Sequence, residues 1–222
     1  MINWKEINLV ILDMDGTLLD LHFDNYFWQI HIPLKYAKAH NIPLIEAQEY
    51  LRVETSKVSG QISWYCLDYW TERLKLPIVE LKKEIEHKIA LRSDTLPFLN
   101  ALKNAGKQVV LVTNAHPDSL SLKVEKTALD LHIDLLISTH EYGVTKESQV
   151  LWQKLQADLQ FDKETTLFVD DSLVILDSAK KFGIKHLLSV ANPDSQRPTL
   201  NEVQLRGYPF ITDYRLIIDQ II

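Results

Sequence analysis

The chain is 222 residues long, 46% hydrophobic and 24% charged, with a net charge of −6 at pH 7. That size and balance fit a water-soluble globular core domain with a modest insertion. The lysines and arginines form no basic stripe, which argues against a nucleic-acid polymer as partner, because counterion release needs clustered cations.

In chain order, Trp4-Lys5-Glu6 interrupts the basic-then-apolar pattern of a secretory leader. No apolar run approaches the ~20 residues that cross a bilayer. Leu9-Val10-Ile11-Leu12 reads as a buried strand, predicted over 8–13, that delivers Asp13 and Asp15 into the turn Gly16-Thr17. Burying one acid is costly and two like charges this close cost more, so the pair needs a cation or a shared proton. From Phe23 to about Leu91 no strand is apparent, and Pro43 and Pro77 stand where prolines open helices. Leu44, Ala47, Leu51 and Val58 recur near helical period, as do Trp64, Leu67, Thr71 and Leu74, then Ile78, Leu81, Ile85 and Ile89. Cys66, the lone cysteine, excludes an internal disulfide, points to a reducing cytosol and is expected to pack on a buried helix.

From Asp94 onward helix and strand alternate. A helix over 95–105 is closed by Gly106, strands are predicted at 108–113, 134–138, 166–170 and 186–190, and Asp213 can cap a last helix with Tyr214, Ile217, Ile218 and Ile221 on one face. Such alternation predicts an α/β fold with a parallel sheet covered on both faces. Ligands of open sheets of this kind sit beyond the carboxyl ends of the strands, where Asp13, Thr113, Asp170 and Asp171 all fall. The helical stretch then forms a cap over that mouth, giving a core of residues 1–20 and 92–222 and a cap of residues 21–91. The eight histidines show no metal-ligand spacing, although His116 and His140 lie near strand ends and could line the mouth. Asp177 reads as a helix-surface residue.

Four strings carry a further signal: Asp13-Met14-Asp15-Gly16-Thr17, Thr113-Asn114 after an apolar strand, Lys146 before a helical pattern, and Asp170-Asp171 after another strand. In this order they resemble the four signatures of the haloacid dehalogenase superfamily. The resemblance implies a Rossmann-like core with an inserted all-helical, C1-type cap, and a phosphatase working through an aspartyl phosphate. It implies Asp13 as nucleophile and Asp15 as the acid–base residue that serves the leaving alkoxide and then the hydrolytic water. Thr113 and backbone N–H groups around Asn114 would bind the phosphoryl oxygens, which Lys146 would neutralise. Mg²⁺ would be held by Asp13, the backbone carbonyl of Asp15 and Asp171, with Asp170 through water or as a second ligand. Three positions depart from the pattern: Ile175 where many relatives have an acid, Glu147 where a proline often follows the lysine, and Val144-Thr145 in the preceding loop.

Phe23-Asp24-Asn25-Tyr26-Phe27-Trp28, Trp64-Tyr65-Cys66-Leu67-Asp68-Tyr69-Trp70, Thr113-Asn114-Ala115-His116-Pro117 and Asn192-Pro193-Asp194-Ser195 are similar to the bacterial GMP/IMP 5′-nucleotidase family. That implies a cytoplasmic, Mg²⁺-dependent enzyme acting on purine monophosphates. Cap aromatics could stack a base, although most are expected to pack helix on helix; Asp24, Asn25 and Arg52 are candidate polar contacts to base or ribose. A phosphatase of another small metabolite or a phosphomutase would share the same core residues. A dehalogenase would not need the acid at Asp15. A binding protein without catalysis has no use for the full set of charges.

Overall fold

In the computed structural model, which describes residues 2–221, strands β1 (Leu9–Leu12), β2 (Gln108–Thr113), β3 (Leu135–Ser138), β4 (Thr166–Asp170), β5 (His186–Val190) and β6 (Phe210–Ile211) form one sheet. Its order is β3-β2-β1-β4-β5-β6, and every neighbouring pair is parallel. β1 and β4 are buried along their whole length, which is why they read as unbroken apolar runs. Side chains alternate between two cores: Val10, Leu12, Val109 and Leu111 pack with Trp4, Phe98 and Tyr214 on one face, while Leu9, Ile11, Val110 and Phe168 pack with Trp152 and Leu176 on the other.

The predicted strands are present at these positions to within a residue. The structure adds β6, whose two residues are too few to display a period. It also replaces the predicted last helix by two 3₁₀ turns, Tyr214–Leu216 and Ile218–Gln220, although Asp213 does cap the first by accepting the Arg215 N–H (2.8 Å).

Between β1 and β2 the chain is helical: α1 (His22–Tyr26), α2 (Ile32–His40), α3 (Leu44–Lys57), α4 (Ile62–Tyr65), α5 (Leu67–Leu74), α6 (Ile78–Glu84) and, back on the sheet, α7 (Thr95–Asn104). Pro43 and Pro77 stand just before α3 and α6 rather than inside them. A wide π turn, Phe27–His31, joins α1 to α2. α1–α6 bury a third core around Phe23, Phe27, Trp70, Leu74, Ile78 and Leu81. Cys66 is not on a buried helix but in the gap between α4 and α5, half-buried, where its Sγ accepts the Tyr69 N–H (3.5 Å) and caps α5.

The two linkers to this helical block lie side by side. Asp20 N–H donates to the Ala90 carbonyl and Arg92 N–H to the Leu18 carbonyl, both 3.0 Å. Leu21 N–H reaches the Pro193 carbonyl (2.8 Å), and Arg92 donates to the Asn192 carbonyl (2.7 Å), so both linkers dock on the loop after β5. The sheet is completed by α8 (Pro117–Thr127), α9 (Gln149–Leu159) and α10 (Leu173–Phe182). Among the described residues no helix is long and apolar enough to cross a membrane.

Candidate active site

β1 and β4 pair in register, Leu12 opposite Val169, so Asp13 and Asp170 emerge together at the carboxyl edge. The strand order reverses here, which opens the crevice that doubly wound sheets use for ligands. Asp13 N–H donates to the Val169 carbonyl (3.0 Å), so the first acid continues the sheet. The chain then turns at Gly16, with φ +85°. A β-carbon there would lie 2.7 Å from the Asp171 carboxyl carbon and 2.9 Å from Pro193. Only glycine satisfies both the dihedral and the space.

Lys146 comes from the loop after β3 and is held by the Asn114 carboxamide. Asn114 Oδ1 accepts the Lys146 backbone N–H (2.9 Å) and the Thr139 hydroxyl (3.0 Å), while Nδ2 donates to Glu147 (3.1 Å). The Asn114 side chain thus braces the Lys146 loop. The buried Lys146 ammonium donates to Asp13 and to Asp170 Oδ2 (2.7 Å). The other Asp170 oxygen accepts the Ser172 N–H (2.8 Å). Thr113, at the end of β2, accepts the Ala115 N–H through Oγ1 (3.0 Å), which leaves its hydroxyl hydrogen to donate.

Carboxylate oxygens of Asp13, Asp170 and Asp171 lie within 4.8 Å of one another. Burial raises the Asp13 carboxyl to about 6, with Lys146 opposing the rise and Asp170 adding to it. Burial pushes Asp171 well above the usual carboxylate range, and Asp170 and Asp13 push it further. Three acids thus share one ammonium. The missing positive charge is what a hard divalent cation with oxygen ligands would supply, so the donor set fits Mg²⁺.

Asp15 has a different partner. Its carboxylate pairs with Lys123 of α8 (2.7 Å), which also grips Asp24 of α1 (2.6 Å); Asp24 in turn pairs with Lys82 of α6 (2.7 Å). Burial raises Asp15 to about 6 against the pull of Lys123. Burial would raise Asp24 as well, but the two ammoniums outweigh it and hold that carboxyl well below its ordinary value. Asp24, one of the sequence's candidate polar contacts to base or ribose, lines the cavity and is the centre of a charge chain that joins the helical block to Asp15. Sequence reading missed Lys123 and Lys82. A signal existed: Lys123 follows the buried Ser119 by four residues and Lys82 follows the buried Ile78 by four, so each lysine sits on an inward helical face.

A cavity of about 640 Å³ opens between sheet edge and helical block, lined by the acids, Thr113 and Lys146 below and by Asn25, Trp28, Gln29, Arg52 and Trp64 above. Trp28 and Gln29 sit on the π turn, a feature that often marks functional sites. Tyr65 and Trp70 also line it, but Trp70 is buried and donates its indole N–H to the Trp64 carbonyl (2.9 Å). Phe27 belongs to the core of the block, and Tyr26 and Tyr69 pack against that core. Asn25 donates to Asp194 (2.6 Å), and Arg52 pairs with Glu49 on its own helix (2.7 Å). Glu147, at the position where relatives often have proline, accepts the Tyr65 hydroxyl (3.2 Å) and so ties the block to the Lys146 loop. His116 lines the cavity, with His140 beside it (ring centroids 5.1 Å apart). Asp177 is at the surface, paired with Arg206 and Tyr208.

The pattern of the haloacid dehalogenase-like hydrolase family matches residues 7–183. A GMP/IMP nucleotidase, YrfG, of Escherichia coli (strain K12) is 47% identical over 220 residues, which are 99% of this chain and 98% of that protein. The protein of the same name from Shigella flexneri is equally similar. Among solved structures, a HAD phosphatase from Thermococcus onnurineus superposes with a TM-score of 0.76 at 21% identity, covering 96% of this chain and 97% of that one. A putative beta-phosphoglucomutase from Thermotoga maritima gives 0.68 at 16% identity, covering 96% and 97%. At those identities the two structures attest the fold alone; the family pattern and the near full-length relatives carry more, and by them the chain belongs to the haloacid dehalogenase-like hydrolases.

Proposed function

We propose that the protein is a Mg²⁺-dependent 5′-nucleotidase that hydrolyses purine nucleoside monophosphates, GMP and IMP foremost, through an aspartyl phosphate. The observation that carries phosphoryl transfer is the separation of the two acids by partner: Asp13 is clamped by Lys146 at the sheet edge and Asp15 by Lys123 at the mouth. Held by different partners at different places, the two carboxylates can take different duties.

An Asp13 oxygen attacks phosphorus in line, and the bond to the leaving alkoxide breaks as Asp15 delivers its proton. Asp15 then takes a proton from water, which attacks the same phosphorus and releases Asp13 and phosphate. Lys146, the Thr113 hydroxyl and backbone N–H groups beyond Asn114 steady the phosphoryl oxygens, which is most of what this chemistry asks of a protein. Asp13, Asp171 and the Asp15 carbonyl would hold Mg²⁺, with Asp170 kept in place by Lys146 and Ser172; when bound, the ion supplies charge neutralisation at the phosphoryl group. An acid at Asp15 favours this reading over dehalogenation.

Residues 21–91 act as the cap, and the nucleoside sits in the cavity beneath it, whose volume of about 640 Å³ lies within the roughly 300–1,000 Å³ of small-molecule sites. The similarity to GMP/IMP nucleotidases supports the purine assignment, and the single cysteine supports a cytosolic setting. The test is phosphate release from a panel of nucleotides and sugar phosphates, with Mg²⁺ and with EDTA. GMP and IMP should lead, and EDTA should stop all turnover until Mg²⁺ is restored. A flat profile, or a best substrate without a purine, discards the nucleotidase reading; no release from any ester discards the phosphatase.

A further inference from the structure

Beside the phosphoryl-transfer acids lies a second cluster, of unlike donors. β2 and β3 pair in parallel, Thr113 opposite Ser138, so His116 and His140, three and two residues further on, meet above the sheet edge. Cys66 reaches them from the α4–α5 gap of the helical block. One donor atom from each of the three lies within 4.8 Å of the others. None of the three had metal-ligand spacing in the sequence, because each comes from a separate element.

The surroundings prepare these groups as ligands. His140 makes a hydrogen bond to the Asn114 backbone, while its Nε2 is buried and has no hydrogen-bond partner among the described residues. That buried, unpaired Nε2 is the polar atom a cation at this cluster would satisfy. Burial and the nearby His116 lower the His140 pKa, favouring the neutral ring. Cys66 Sγ accepts the Tyr69 N–H at the start of α5 (3.5 Å), which holds the side chain in the α4–α5 gap. His116 Nδ1 accepts the Asp118 N–H (3.3 Å), with Asp118 Oδ2 3.7 Å away and Asp68 Oδ2 3.6 Å from Nε2.

We propose that Cys66, His116 and His140 form a second metal site, for a borderline transition-metal cation of the zinc class, which bridges the helical block and the core. One sulfur and two nitrogens suit such a cation and do not suit Mg²⁺, which takes oxygen ligands. Asp68 or water completes a tetrahedron. On binding, the Cys66 thiol proton leaves to solvent, and each histidine binds as the neutral ring through one nitrogen lone pair.

The test is a Co²⁺ titration of the reduced protein in saturating Mg²⁺, followed by absorbance. Wild type should develop a thiolate-to-cobalt charge-transfer band that saturates at one ion per chain and bleaches with Zn²⁺. Cys66 is the sole cysteine, so the band can have no other source. Cys66→Ser should abolish it, and His140→Gln should weaken Co²⁺ binding by about tenfold or more. Far-ultraviolet circular dichroism checks the fold of each variant, and His116→Gln provides a third arm. No thiolate band in wild type, or unchanged affinity in His140→Gln, overturns the site. In Mg²⁺, Zn²⁺ should slow p-nitrophenyl phosphate hydrolysis more in wild type than in Cys66→Ser; equal sensitivity overturns the bridging role.

Discussion

Asp13, Asp15 and Asp171 are the same side chain in three electrostatic settings, and each setting makes its own prediction. Asp13→Asn keeps the shape beside Lys146 but removes the nucleophile, so purified, folded protein should release no phosphate; near-normal release would end the covalent mechanism. Asp15→Asn should slow GMP hydrolysis by about 10²–10⁴-fold, the usual worth of general acid–base catalysis. In single-turnover phosphorylation, p-nitrophenyl phosphate should lose less, because its leaving group needs little protonation. Asp171 makes a stability prediction. Its folded pKa is raised by burial and by Asp170 and Asp13, so its proton stabilises the fold, and that contribution is present at low pH and lost as pH rises through the folded pKa. Asparagine imitates the protonated form at every pH. In EDTA, Asp171→Asn should therefore melt above wild type at pH 8, with the gap closing toward pH 4, and a gap independent of pH would contradict this assignment.

At the scale of elements, the chain Asp15–Lys123–Asp24–Lys82 links the turn after β1 to α8, α1 and α6. Removing one member of a buried ion network strands the others, at a cost of about 3–5 kcal/mol. Lys123→Met should lose stability of that order in chemical denaturation, and turnover should fall with it because Asp15 loses its anchor. β1, β2 and β4 were legible in advance because burial makes each an apolar run that leads into Asp13, Thr113 and Asp170. The turn carrying Asp13 and Asp15, and the place of Lys146, were legible from chemistry at element boundaries. The Lys123–Asp24 pair was not, since its members are 99 residues apart and a lysine on a helix reads as solvated until the opposing face is known. β6 and the closing 3₁₀ turns escaped for another reason: segments of two to four residues carry no period, and their form is set by the loops and the sheet edge around them.

For the whole molecule, the reading proposed above puts the phosphate at the sheet edge and so gives selection of the base to the helical block. Stacking on Trp28 or Trp64 would accept any base, so discrimination of a 6-oxo purine from adenine needs a polar group that adenine leaves unpaired. Arg52→Ala should bring GMP and AMP closer in kcat/KM while sparing p-nitrophenyl phosphate. Asp24→Asn, by loosening Lys123 and Lys82, should instead depress every substrate alike. If Arg52→Ala leaves the GMP preference intact, the base is read elsewhere in the cavity. How the block could open at all is constrained by its attachment. With Asp20 bonded to Ala90 and Arg92 to Leu18, and with Leu21 pinned to Pro193, the entering and leaving strands are one strap. The block is therefore joined to the core through one braced connection, and its other ties include the side-chain bonds Asp24–Lys123, Tyr65–Glu147 and Asn25–Asp194. Opening the mouth by moving the block as a body would break those three bonds together and lift Trp28, Arg52 and Trp64 at once.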